Sequence, residues 1–139
     1  MPSWDCPKCG RRFAKTAQSH LCAPALTLEE YFSTGPAFER PIFESVLRHV
    51  QTLGSVVVEP VSVGIFLKRA RSFAELRPMT KWVALWFSLD RTVSHPLITK
   101  KVVQYGGRYF HVANLRSPGE VDDSLRGWLT EAYLDAPPE

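Results

Sequence analysis

Cys6-Pro7-Lys8-Cys9 sets two thiols three positions apart, and His20 and Cys22 supply a second pair beginning eleven positions after Cys9. All three cysteines of the chain and one of its four histidines fall within this short stretch. Two close ligands, a short insert and a second close pair is the spacing of a structural zinc site. Lys8 places positive charge beside sulfurs that must ionise to bind metal. Gly10 admits a backbone turn that other residues resist, and Phe13 is spaced as the one large apolar side chain that so small a unit needs. The competing reading is one disulfide with a spare thiol. It belongs to exported proteins, and the N-terminus has no signal-peptide apolar core. The expected cofactor is therefore Zn²⁺ on Cys6, Cys9, His20 and Cys22. Four protein ligands leave no open position for water or substrate, so a structural role is expected. His20 and Cys22, two positions apart, do not share a helix face, so 14–19 should form a turn at most.

Other reactive groups are sparse. His95 precedes Pro96, His111 follows Tyr109 and Phe110, and either could serve as a general base near neutrality. No Gly-x-Ser-x-Gly, paired-carboxylate or phosphate-loop pattern accompanies them. Asp122-Asp123 suits the start of a helix, where the dipole favours acids. His49 falls off its helix's apolar stripe and reads as solvated. A non-enzymatic protein is expected, with a small-ligand or catalytic pocket near His111, His95 and Tyr109 as the alternative.

Charge is segregated. The net charge of +3 divides into +3 over 1–26, −3 over 27–59, +8 over 60–116 and −5 over 117–139. A basic middle between acidic ends points to an anionic partner. Lys8, Arg11, Arg12 and Lys15, with Lys68, Arg69, Arg71 and Lys81, form the candidate nucleic-acid surface, and RNA, DNA or a ribonucleoprotein such as the ribosome is the expected partner. Trp82 and Trp86 face one way on a strand and could stack bases if exposed, although core seats are the expectation for both. The bland alternative is that the acidic helices neutralise the basic sheet, or that a charge-segregated domain docks an acidic protein. No apolar run reaches the ~20 residues of a membrane span. Reduced thiols and the missing export signal make the cytoplasm the expected compartment.

The elements that must hold these residues are legible in part. Residues 1–26 read as a finger and linker, the linker being Ala23-Pro24-Ala25, and 27–139 as a separate α+β domain. Thr27-Leu28-Glu29-Glu30 has capping-box form. Ile42, Phe43, Val46, Leu47 and Val50 make a helical stripe from near 38–41 to Gly54. Strands are expected at 55–59, 61–68, 73–77, 81–89, 101–105 and 108–115, the last two joined by a Gly106-Gly107 primed turn. Ser117-Pro118-Gly119-Glu120 reads as the capping box of a final helix burying Val121, Leu125, Trp128, Leu129 and Ala132. Strands in meander bracketed by helices predict a two-layer fold with a mainly antiparallel five- or six-stranded sheet and the helices on one face.

From Thr27 to Tyr133 the chain resembles a bacterial family known only as domain-of-unknown-function family 5655. The resemblance is carried by Leu28-Glu29-Glu30-Tyr31-Phe32, Leu53-Gly54, Val58-Glu59-Pro60, Phe73-Ala74-Glu75-Leu76-Arg77-Pro78, His95-Pro96, Tyr109-Phe110-His111-Val112, Asp122-Asp123 and Trp128-Leu129-Thr130-Glu131-Ala132-Tyr133. Some members carry a finger in front. Members often have a lysine soon after the Pro60 position, where this chain reads Val61-Ser62-Val63. The resemblance implies the α+β fold and no activity.

Overall fold

The computed structural model describes residues 4–18, 20, 22 and 25–138; Ser19 of the expected turn and Ala23 and Pro24 of the expected linker lie outside these. Two short strands, β1 (Trp4–Asp5) and β2 (Arg12–Phe13), pair antiparallel and form the N-terminal clip. The turn between them closes with Cys6 N–H donating to Arg11 O and Gly10 N–H to Cys6 O, and Gly10 takes φ +75°. Among the described residues of 14–18 there is no helix.

α1 (Leu28–Phe32) is capped as its sequence predicts: Glu30 N–H donates to Thr27 Oγ1 at 3.1 Å while Thr27 N–H donates to Glu30 Oε1 at 2.9 Å. α2 (Glu39–Gln51) buries Ile42, Phe43, Val46 and Val50. A six-stranded antiparallel sheet follows, made of β3 (Val57–Val61), β4 (Gly64–Lys68), β5 (Ser72–Pro78), β6 (Val83–Leu89), β7 (Val103–Tyr105) and β8 (Arg108–Leu115). α3 (Asp123–Asp135) closes the chain. Ile65, Leu67, Leu76, Val83, Leu85, Phe87, Ala113 and Leu115 point to one sheet face and form a single core with the buried stripes of α2 and α3. The fold is α+β.

The structure departs from the expected elements in four places. The stretch 61–68 is not one strand: the chain turns at Ser62-Val63, pairing Val61 with Gly64. Alternation alone cannot register such a turn, but Gly64 marks it, because a Cβ there would lie 2.4 Å from Leu76 O on the neighbouring strand. Pro60 is inside β3, which is an edge strand and so does not need its N–H. The sheet order is β3-β4-β5-β6-β8-β7, so the meander breaks after β6: residues 90–102 carry the chain past one strand position, and β8 returns to the inner one. Burial explains the exchange, since β8 supplies Ala113 and Leu115 to the core while β7 is exposed throughout. Finally, Ser117 caps nothing with its side chain. Pro118–Glu120 is a 3₁₀ turn, and Asp122 is the true N-cap of α3, its Oδ1 accepting from Leu125 N–H at 2.9 Å. The Gly106-Gly107 turn is as expected, with φ of +58° and +77°.

Candidate functional site

Cys6, Cys9, His20 and Cys22 converge. Their ligand atoms all lie within 4.8 Å of one another, with Cys6 Sγ 3.8 Å from Cys22 Sγ and Cys9 Sγ 3.5 Å from His20 Nε2. Bond lengths of zinc–thiolate and zinc–imidazole sites give tetrahedral edges of about 3.8 Å between sulfurs and about 3.6 Å between sulfur and nitrogen. The sulfurs are too far apart for a disulfide. His20 Nδ1–H donates to Gln18 O at 2.6 Å, which leaves Nε2 unprotonated and turned toward the sulfurs. Phe13 stacks on the imidazole at 4.0 Å between ring centres and Trp4 meets its edge. These four residues can hold a metal ion.

The thiols themselves show why a cation suits them. The backbone N–H of Cys9, aided by that of Lys8, pulls the Cys6 thiol down to about 6. Desolvation of its sulfur, then the neighbouring Cys6 and Cys9 sulfurs, push Cys22 up to about 11, although the residue as a whole is exposed. One negative charge is welcome in the cluster and a second is resisted. A divalent ion removes that resistance and lets all three ionise.

The clip is seated on the sheet through buried charge. Arg11 and Lys68 both bind the Glu59 carboxylate, Lys68 Nζ at 3.1 Å, and all three side chains are at least nine-tenths buried. Lys68 Nζ also donates to Arg12 O at 3.2 Å and lies 4.3 Å from the Phe13 ring centre. Arg11 sits 5.2 Å from the ring centres of both Phe13 and Phe66. Leu26 N–H, just beyond the clip, donates to Pro60 O at 2.8 Å. Glu59 is the residue that sequence reasoning missed. Its signal was a lone acid in the otherwise apolar run Val57-Val58-Glu59-Pro60-Val61, and the alternation buried–exposed–buried across Arg11-Arg12-Phe13 marks Arg11 as its partner.

The expected nucleic-acid residues scatter among three situations. Lys8, Arg12, Lys15 and Lys81 are exposed; Arg12 pairs with Asp5 at 3.0 Å. Arg69 and Arg71 are half-buried at the C-terminus of α3, which has no basic residue in its last turn: Arg69 donates to Tyr133 O and Ala136 O, and Arg71 to Asp135 O. Imported arginines satisfy the carbonyls that the helix leaves open. Arg11 and Lys68 are buried on Glu59. Lys81 precedes β6 at the far end of β5 from Arg71, about 20 Å along the strand at ~3.3 Å per residue. The acidic helices meet part of the basic block, with Arg91 on Glu131 at 2.8 Å and Arg108 on Asp135 at 3.3 Å. Asp90, Glu131 and Asp135 also cluster, and two of the three carry these arginine pairs.

Two clefts adjoin these elements. One, of about 230 Å³, lies between clip and sheet; among the described residues Arg11, Arg12, Lys68 and Arg71 line it and no acid does. The other, of about 200 Å³, carries Glu30 and Glu39 and, among the described residues, no basic one. Trp82 and Trp86 are half-buried on the face away from the helices rather than in the core, and Arg116 lies 5.1 Å from the Trp82 ring centre.

The histidines of the main domain are committed. His111 is fully buried and stacked on Phe87 at 5.1 Å between ring centres; its Nδ1–H donates to Tyr109 O and its Nε2 accepts from Val93 N–H. Burial holds its pKa below the usual imidazole value. His95 Nε2–H donates to Asp122 Oδ2 at 2.8 Å and its Nδ1 accepts from Leu97 N–H. His49 bonds Thr130 at 2.9 Å across α2 and α3. Both nitrogens of His111 and of His95 thus have hydrogen-bond partners within the domain.

A family model described as a domain of unknown function (DUF5655) matches residues 28–136. No curated protein and no solved structure matches the chain. Among the described residues, no helix is long and apolar enough to cross a membrane.

Proposed function

The chain belongs to the domain-of-unknown-function family DUF5655, and from that premise we propose that it is a non-enzymatic binding module whose N-terminal clip holds zinc and whose partner is nucleic acid, alone or displayed by a nucleoprotein. Zinc is favoured over other ions by the three-thiolate, one-imidazole donor set, by edges of 3.5 and 3.8 Å, and by the second hydrogen bond that fixes His20.

The observation that carries the nucleic-acid reading is the seating of the clip. It lies against β3 and β4, so that Arg12 of the clip and Arg71 of the β4–β5 turn line one cleft, with no carboxylate among its described lining residues. Exposed Lys8 and Lys15 extend the basic character over the clip. Arg11 and Lys68 serve the surface indirectly, by holding the clip where it is. Three cysteines held apart in ligand geometry support a reducing compartment such as the cytoplasm.

Filter binding of single-stranded RNA, duplex RNA and duplex DNA to the zinc-loaded chain tests the reading. Retention of at least one is expected at low salt. With three or four phosphates neutralised, its affinity should fall with a log–log salt slope of about −3. If none is retained, the nucleic-acid reading is retired. Recovery from lysate of a nuclease-resistant protein partner in its place would identify an adaptor.

A further inference from the structure

The cleft between clip and sheet has a shape and a set of donors that point to more than general attraction. At about 230 Å³ it falls below the ~300–1,000 Å³ of pockets that enclose a whole drug-sized ligand. It can take one end of a ligand whose remainder stays outside.

Its polar groups are donors. Lys68 Nζ has three N–H bonds, and Glu59 Oε1 and Arg12 O take two. Arg71 donates one of its five N–H bonds to Asp135 O. Gln18 uses its carbonyl oxygen on Lys15 N–H, which leaves its amide nitrogen as a donor. His20 contributes only its ring face, since both nitrogens have other duties. Beside the donors, Ala14, Phe66 and Ala70 give apolar lining, while Phe13 is buried beneath His20 and Lys68.

Charge follows the same pattern. Arg11 and Lys68 against Glu59 leave one positive charge, which offsets the negative one that three thiolates and a divalent ion carry together. Arg71 adds to this, and no acid is among the described residues that line the cleft. Donors converging beside an apolar lining suit an anionic group attached to a planar or apolar one.

We propose that this cleft is a binding site for a terminal phosphate, the monoester at the end of a nucleic-acid strand, with the adjoining nucleoside outward beside Ala14 and Phe66. A chain-internal diester is less well served, because a cleft of this size receives an end and does not pass a strand through. The proposal rests on the nucleic-acid reading above and specifies which part of the strand is gripped.

Fluorescence anisotropy with the zinc-loaded full chain tests it, using one single-stranded oligonucleotide sequence with hydroxyl ends, with a 5′-phosphate and with a 3′-phosphate. One phosphorylated end should bind about tenfold tighter than the hydroxyl form, the gain of a charge-assisted contact. Arg71→Gln should abolish that gain. Ala14→Glu, which removes no native contact and adds a carboxylate to the cleft, should abolish it as well, so the test survives if one variant fails to fold. Equal affinity for all three ends, or a gain unchanged in both variants, overturns the proposal. In the first case strands that still bind leave the general nucleic-acid reading standing. Binding of adenosine monophosphate, sensitive to Ala14→Glu, without binding of any strand supports the phosphate site and removes the nucleic-acid reading. Binding of neither ends both.

Discussion

Lys68 of the sheet donates a hydrogen bond to the backbone carbonyl of Arg12 in the clip, and the same ammonium holds Glu59. One side chain thus ties a small metal-ligand unit to a domain with its own core. The tie is charged and buried, so its loss should be costly. Removing one member of a buried ion group leaves the others without compensation, at about 3–5 kcal/mol. Glu59→Ala should lower stability by that amount in denaturant unfolding, whereas Arg12→Ala, which keeps the carbonyl that Lys68 binds and gives up an exposed pair with Asp5, should cost about 1 kcal/mol or less.

Metal removal should act locally. The core that joins α2, α3 and the sheet includes no described residue of the clip. Chelation is expected to change the fluorescence of Trp4, which packs on Phe13 and His20, while far-ultraviolet circular dichroism from the helices persists. Elemental analysis should find one zinc per chain. Cys9→Ser or Cys22→Ser should weaken zinc affinity at least about a hundredfold, since each removes a first ligand.

His111 gives the fold an acid limit. Burial holds its folded pKa below the unfolded value of 6.5, with the backbone bonds to Tyr109 and Phe87 opposing. A depressed histidine contributes stability that is present above 6.5 and lost as pH falls through the folded value. Stability should therefore decline below pH 6.5, and the His111 ring protons should show no titration by nuclear magnetic resonance between pH 7 and 8. His111→Ala should cost about 2–4 kcal/mol, from the cavity beside Phe87 and the orphaned Val93 N–H.

Glu39 works in the opposite direction. It is buried near the start of α2 and accepts from the Tyr31 hydroxyl, and desolvation raises its pKa above 4.5 despite that bond. A raised carboxyl contributes stability that is complete below 4.5 and lost as pH rises through the folded value. Glu39→Gln keeps an acceptor for Tyr31 without the charge. It should raise the thermal midpoint by a few degrees at pH 8, and change it less at pH 4.

Asp122 joins two tasks, capping α3 through Oδ1 and anchoring the His95 loop through Oδ2. The cap bond to Leu125 N–H, then the His95 contact, hold its carboxyl below the usual range. Asp122→Ala should cost about 1–2 kcal/mol in thermal unfolding, and Asp122→Asn, which can still cap, should cost less.

These residues also show what a single chain reveals before it is folded. Ligand spacing, the Thr27 capping box and the Gly106-Gly107 hairpin are local patterns whose physics lies within a few residues, and all three are found where the sequence predicts them. Ser117 and Asp122 both satisfy the rules for a helix start, and only packing of Val121 into the core decides between them. The order of β7 and β8 is a competition for the inner seat of the sheet, which no property of either strand alone expresses. Most of the candidate interface was hidden for a related reason. Arg11 and Lys68 look like any surface cations until Glu59, 48 residues from one and 9 from the other, turns them inward.

The seating of the clip has a consequence for biosynthesis. Translation runs from the amino end, so Cys22 leaves the ribosome before Glu59 and Lys68 emerge to receive the clip. During that interval the thiols and His20 have only each other, the β1–β2 turn and any captured ion to keep them together. Capture of an ion by these four residues would thus be an event separate from sheet assembly. A chain that completes its sheet with an empty clip presents Glu59 and Lys68 as an unfilled socket, a form that cellular quality control could distinguish from the mature protein.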